Sequence, residues 1–223
     1  MAETNMDWRL VEEEKKLYKR TRGWWESMHF SYAYNITSPP ILRQQWGGTA
    51  LFSINKDAHI VVEKGINESK QGRWCWTKYR GRNNYTLVIF VAYCPNPPTG
   101  PFTVYAQQRL FFTLQQDERY PRVTFTADFS LALQKTIDSG ALVLAMLDGN
   151  QDMRNSMLAT KLKEINMREI LLSRHGTQGQ STYCRNESRT PIDGIWVSPG
   201  LDIKAGGYLD YDQFLLNAVH RCL

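Results

Sequence analysis

What the sequence withholds narrows it first. No apolar run approaches the ~20 residues that would cross a bilayer, so nothing reads as a membrane span. Residues 1–16 are polar and acidic, without the basic start and apolar middle of a secretion signal. Cysteine is scarce: Cys75, Cys94, Cys184 and Cys222 stand far apart, with no C-x-x-C pair. That spacing argues against zinc and predicts reduced thiols in an intracellular chain that is not secreted and has no membrane partner. Matches to N-x-[ST], such as Asn84-Tyr85-Thr86, are then chance. No linker, repeat or low-complexity block interrupts the chain, so residues 1–223 read as a single domain.

What is present is ordinary for a globular protein, with 42% hydrophobic and 22% charged residues. The net charge of +5 is compatible with a polyanionic partner but does not identify one. The most informative stretch is 141–152. Its apolar run, 141–147, has the pattern of a strand buried on both faces, and it stops at Asp148-Gly149-Asn150. An acid and an amide two residues apart point to one side of an extended chain. Just past a buried strand is where open sheets offer polar groups to ligands. The same three residues also spell a simple turn.

The rest of the chain supplies the layers. Residues 6–22 read as a helix, with Leu10, Val11, Leu17 and Tyr18 on one face and a Glu/Lys run on the other. A loop with Pro39-Pro40 follows Trp24 and Trp25. Residues 47–54, 59–63, 73–79 and 85–93 read as strands, with Asn83-Asn84 as a hairpin turn. Thr103 should cap a helix running to Leu114, with Val104, Leu110 and Phe111 facing in. Residues 128–139 predict a second helix, stopped by Gly140, with Phe129, Leu133 and Ile137 inward. Residues 156–166 predict a third, with Met157, Leu158, Leu162 and Ile165 on its apolar face. Residues 181–184 and 191–198 read as strands, the second carrying the single acid Asp193. Strands in runs, with helices between some of them, predict a layered α/β or α+β domain with two packed sheets.

Five features recur in order: Glu3-Thr4-Asn5, Tyr93 in Ala-Tyr-Cys-Pro, Asp148-Gly149-Asn150, Asp193 in Ile-Asp-Gly-Ile-Trp-Val-Ser, and His220-Arg221. As an ordered set they resemble the endonuclease/exonuclease/phosphatase superfamily. That group includes pancreatic deoxyribonuclease, apurinic endonucleases and the endonuclease domains of non-LTR retroelements. Gly47-Gly48-Thr49-Ala50 and the Gly-Arg-Trp-x-Trp of 72–76 resemble the retroelement-type members most. The resemblance implies an α+β four-layer α/β/β/α sandwich and metal-dependent hydrolysis of a phosphate ester. It implies that Glu3 holds Mg²⁺, with Mn²⁺ as an alternative, since a hard cation takes one or two carboxylates and keeps several waters.

In the same resemblance Asp148 orients or deprotonates the attacking water and Asn150 holds water and phosphate. Neither makes hydroxide at neutral pH alone; a nearby cation must stabilise the developing charge. Tyr93 matches a hydroxyl beside the phosphate. His220 matches the histidine on the scissile phosphate, and Asp193 the carboxylate that orients it. A carboxylate on one ring nitrogen favours the cationic imidazole, so the other nitrogen can donate to phosphate. Asn5, Arg185, Asn186 and Arg189 are the candidate substrate contacts. Trp74 and Trp76 either stack on bases or belong to the core. The implied partner is nucleic acid, DNA ahead of RNA, with a fused reverse transcriptase in the full-length protein and a nuclear location if the source is a eukaryotic retroelement. A phosphatase or phosphodiesterase for a small or lipid phosphate ester, and a non-catalytic nucleic-acid-binding remnant, remain as alternatives.

Two departures from the family pattern bear on activity. The chain begins at the glutamate, so the opening strand is expected to be missing and the strand carrying Glu3 to be a stub of ~2–3 residues, too short to hold a ligand precisely. The end is expected to be cut short after the histidine. The family's Ser-Asp-His ending stands here as Ala218-Val219-His220. Valine supplies no oxygen to a metal, so weakened metal binding and reduced turnover are expected.

Overall fold

Side-chain alternation along the strands decides which residues face which layer. The computed structural model describes residues 2–12, 15–37, 45–97, 100–176, 181–185 and 188–207. The chain opens with a short helix α1 (Leu17–Thr21), then strands β1 (Met28–Ala33), β2 (Thr49–Ile54), β3 (Val61–Ile66), β4 (Trp74–Arg80) and β5 (Thr86–Tyr93). Helices α2 (Val104–Leu114) and α3 (Pro121–Asp138) lead to β6 (Leu142–Asp148) and α4 (Met157–Glu164). The last described elements are β7 (Arg168–Glu169), α5 (Ile170–His175), β8 (Tyr183–Arg185), β9 (Ser188–Thr190) and β10 (Asp193–Val197).

β1 and β2 form an antiparallel pair, and β3-β4-β5-β6-β10-β7 form a six-stranded sheet. Within it β5 and β6 run parallel, and the other neighbouring pairs run antiparallel. Parallel neighbours need a crossover, and α2 with α3 supplies it. β8 and β9 form a separate hairpin just ahead of β10.

Four layers follow from these faces. Phe30, Tyr32, Ala50 and Phe52 cover the outside of the β1–β2 pair and pack against Trp8, Val11, Leu17 and Tyr18. Between the sheets lie Ala33, Leu51, Cys75, Val91 and Met146. Two buried hydroxyl pairs cross this interface, Ser31–Thr77 at 2.7 Å and Ser53–Tyr79 at 2.6 Å. On the far face Trp74, Phe90, Val143, Ala145 and Leu147 pack under Phe125, Phe129 and Leu133 of α3 and Leu158 and Leu162 of α4. The arrangement is the α/β/β/α sandwich expected from the sequence. Cys75 and Cys94 are buried free thiols, and no described helix is long and apolar enough to cross a membrane.

Several boundaries differ from the sequence reading. Among the described residues of the expected helix 6–22, only Leu17–Thr21 are α-helical. Asp7 diverts the start: its carboxylate accepts from the Arg9 backbone N–H at 3.0 Å and pairs with the Arg9 guanidinium at 2.7 Å. Such local bonds compete with a helix. β1 is a strand the sequence reading passed over. The strand expected at 59–63 starts two residues later, after a 3₁₀ turn over Asn55–Ile60. α3 begins at Pro121, seven residues earlier than expected, with proline at its first position where no N–H is needed. In α2, Phe112 is buried in place of Leu110, which is exposed. Met157 of α4 is exposed as well. α5 with β7 was not anticipated. The cap expected at Thr103 accepts a backbone N–H at the start of α2, and Gly140 (φ +81°) follows α3 as expected; Ser156, not read as a cap, accepts one at the start of α4. Trp74 belongs to the core and Trp76 packs against it. The loop with Pro39-Pro40 lies outside the described residues.

Candidate active site

Three residues far apart in sequence form one row. Tyr93 ends β5 and is the register partner of Asp148, which ends β6. Asp148 is in turn the register partner of Asp193, which begins β10. Register partners share a face, so all three side chains leave the six-stranded sheet on the same side. With strands spaced ~4.8 Å apart, the row spans about 10 Å. It lies at the carboxyl ends of the two parallel strands, the end where sheets of this kind present ligand groups.

Backbone bonds lock this corner. Tyr93 N–H donates to Arg73 O at 2.9 Å, and Cys94 N–H donates to Asp148 O at 2.8 Å. Gly149 N–H donates to Ile192 O at 2.8 Å, tying the end of β6 to the start of β10. Thr182, fully buried, accepts the N–H groups of Ile192 at 2.9 Å and Asp193 at 3.0 Å. That single hydroxyl fixes the entry of β10.

The Asp148-Gly149-Asn150 turn is built by its own side chains. Asp148 Oδ1 accepts the Asn150 N–H at 3.2 Å, and Asn150 Nδ2 donates to Cys94 O at 2.8 Å. Asn150 holds a left-handed φ of 47°, which asparagine tolerates better than most residues. Arg122, from the first turn of α3, donates through Nη2 to Asn150 O. Gln151 Nε2 donates to the Cys94 thiol at 3.5 Å and the Arg122 charge favours its thiolate, yet burial pushes the thiol up to about 12.

Tyr93 is the hub. Its pKa is raised, first by burial, then by the neighbouring Glu3 carboxylate and further by Asp148, while the Asn150 carboxamide pulls it back. Glu3 is thus brought to the same corner as Asp148 and Asn150.

The short N-terminal segment is pinned. Ala2 bridges Thr49, Thr4 N–H donates to Gly48 O at 3.2 Å, and Asn5 N–H donates to Gly47 O at 2.7 Å. The Asn5 side-chain oxygen accepts Gly47 N–H at 2.8 Å, so that atom serves the loop. Gly47 and Gly48 have φ of +87° and +82°, and a Cβ on Gly48 would lie 2.4 Å from Thr4 Oγ1. The stub expected to be too short to place Glu3 is anchored by this glycine pair.

Arg185 and Arg189 lie on the strands of the β8–β9 hairpin that precedes Asp193. Asn186, Val219 and His220 lie outside the described residues, as does Cys222. The structure therefore brings together Glu3, Tyr93, Asp148, Asn150 and Asp193. Sequence reasoning missed Arg122 and Thr182. Arg122 had a signal, a cation in the first turn of a helix with no acid there. Thr182 had none.

No family model matches this chain, and no curated protein does. Solved structures do share the fold. A 3′ phosphatase (NExo) from Neisseria bound to a product DNA hairpin is 12% identical, with 99% of this chain and 84% of that chain covered at a TM-score of 0.59. An AP endonuclease from Archaeoglobus fulgidus is 15% identical over 89% of this chain and 75% of that one, at 0.55. An endonuclease/exonuclease/phosphatase family protein from Leptotrichia buccalis is 7% identical over 98% and 80%, at 0.53. At these identities the likeness establishes the fold, which is that of the endonuclease/exonuclease/phosphatase proteins.

Proposed function

We propose that this chain, built on the endonuclease/exonuclease/phosphatase fold, is a metal-dependent phosphodiester hydrolase acting on nucleic acid, DNA ahead of RNA. The observation that carries the reading is the row Tyr93–Asp148–Asp193, with Asn150 and Glu3 close enough to act on the Tyr93 hydroxyl. A phosphoryl group needs donors for its oxygens, an acceptor for a water proton and a positive counter-charge; this corner offers the first two, and its carboxylates would hold the cation that supplies the third. Proteins of this fold include a DNA-bound 3′ phosphatase and an AP endonuclease, which supports the class. A retroelement origin, a fused reverse transcriptase and a nuclear location extend the same proposal and rest on the sequence motifs at 47–50 and 72–76.

The donor set fits Mg²⁺ or Mn²⁺ in its sparse form. Glu3 and Asp148 both act on the Tyr93 hydroxyl, so two carboxylates flank it. Among the described residues no group of three or more His, Cys, Asp or Glu side chains could cage an ion, and Mg²⁺ does not ask for one. When bound by Glu3, the cation supplies Lewis-acid stabilisation of the phosphoryl oxygens. Asp148 accepts the proton of the attacking water, and Asn150 orients that water and the phosphate. Tyr93, kept protonated by its raised pKa, acts as a donor and not as a base. By the family resemblance, Asp193 would orient the His220 imidazole for donation to the phosphate.

A non-catalytic nucleic-acid-binding module is the second reading. It is favoured by Val219, where the family pattern has an acid. A cleavage assay on single- and double-stranded DNA and RNA separates the two, run with Mg²⁺ and with chelator on the parent and on Val219→Asp. Chelator-sensitive cleavage by either protein supports the hydrolase. Binding without cleavage by a folded Val219→Asp protein supports the module and ends the hydrolase reading.

A further inference from the structure

We infer that Arg122 is a positioning residue that clamps the Asp148-Gly149-Asn150 turn; the inference rests on reading Asn150 as part of the site. Its placement is the first argument. Arg122 is the second residue of α3, at the positive end of the helix dipole, and that first turn carries no acid. A cation there works against the helix, so helix stability does not explain the choice of residue.

Its contacts are the second argument. The guanidinium donates to the backbone oxygen of Asn150 and lies close enough to the Cys94 thiol for its charge to favour the thiolate. Those two residues belong to different strands' ends: Cys94 follows β5, and Asn150 follows β6. They are already joined by Asn150 Nδ2 donating to Cys94 O at 2.8 Å. Arg122 closes the remaining side of that junction from a third element. A left-handed turn outside a regular element has few bonds to hold it. Here the Asn150 carbonyl is held by Arg122 and its N–H by Asp148.

The consequence reaches the chemistry through Asn150. The Asn150 carboxamide donates to Cys94 O at 2.8 Å and lies beside the Tyr93 hydroxyl, which the Glu3 carboxylate also acts on. Fixing the Asn150 backbone therefore fixes where that carboxamide sits relative to the hydroxyl and the carboxylate. Misplacing a positioned group by ~1 Å costs about 10²-fold in rate.

Arg122→Met keeps the aliphatic stem and removes every donor, whereas Arg122→Lys keeps a cationic donor. Hydrogen exchange read by mass spectrometry should show amides 149–151 exchanging about tenfold faster in Arg122→Met. Residues 145–147 and the body of α3 should exchange as in the parent, and Arg122→Lys should restore most of the protection. With a Mg²⁺-supported oligonucleotide substrate, kcat should fall about 10²-fold in Arg122→Met while KM stays within about twofold. Unchanged exchange of 149–151 in Arg122→Met overturns the clamp. So does loosening shared equally by α3 and the turn without rescue by lysine, which would assign Arg122 to helix packing. A parent chain without turnover removes the proposed function, and the exchange result still decides the clamp.

Discussion

Asp148 and Asp193 are direct register partners on antiparallel strands β6 and β10, so two acids stand side by side at the edge of the sheet. Like charges directly opposite one another across strands are unfavourable. Under the proposed function, that juxtaposition concentrates negative charge where a cation and an activated water would sit.

Asp148→Asn tests that tension. Asparagine retains the side-chain oxygen that accepts the Asn150 N–H while removing one of the facing charges. Thermal melts should show stability unchanged or raised by about 0.5 kcal/mol. Phosphodiester cleavage should fall about 10²–10⁴-fold, because the acceptor for the water proton is gone. A variant that is both destabilised and fully active would contradict the assignment.

Tyr93→Phe removes the hydroxyl between Asn150 and Glu3. Glu3 and Asn150 lose a polar neighbour at a buried corner, so urea denaturation at pH 7 should report a loss of about 1 kcal/mol. The raised pKa of Tyr93 fixes the pH behaviour. A group whose folded pKa lies above its unfolded value of ~10 stabilises fully below that value and loses this as pH rises further. The parent should therefore lose its advantage over Tyr93→Phe above pH 10. No limb attributable to Tyr93 ionisation should appear in a pH–rate profile below pH 10.

Gly48→Ala addresses the anchoring of Glu3. The left-handed φ and the 2.4 Å approach of Thr4 Oγ1 leave no room for a methyl group. Because the Ala33 carbonyl sits 3.0 Å away on the other side, Thr4 must give way. Glu3 moves with it. In the parent, millimolar Mg²⁺ should raise the melting temperature by linkage. In Gly48→Ala and in Glu3→Gln that shift should shrink to near zero. A full Mg²⁺ shift in Glu3→Gln would take the cation away from Glu3.

How much of this was legible beforehand follows from where the information resides. The run ending at Asp148 declares itself locally, by apolar continuity and an abrupt polar stop, and β6 begins and ends within a residue of the reading. The ordered motifs gave the four layers and most of the corner. The helix expected at 6–22 failed because one side chain, Asp7, redirected the backbone, and periodicity is blind to that. β1 was passed over in the stretch read as the loop after Trp24 and Trp25, although Met28–Ala33 alternates faces. Thr182 could not be read at all, since its importance comes from two N–H groups ten and eleven residues ahead that only the folded chain brings to it.

Glu169 was likewise invisible in the sequence, and it tests the sheet edge that holds Asp193. This nearly buried carboxylate caps α5 by accepting Leu172 N–H and also accepts Ile195 N–H of β10 at 2.9 Å. Burial raises its pKa against the opposing pull of those N–H groups. An acid with a raised folded pKa contributes fully below its unfolded value, about 4.3, and that contribution fades as pH rises through the folded pKa. Glu169→Ala strands two N–H groups and should cost about 2 kcal/mol at pH 7 by urea denaturation. The cost should be larger near pH 4.5 and should decline to a plateau as pH increases. A cost that instead grows with pH would mean the folded protein favours the ionised carboxylate, and the bonds to Leu172 and Ile195 would then outweigh burial.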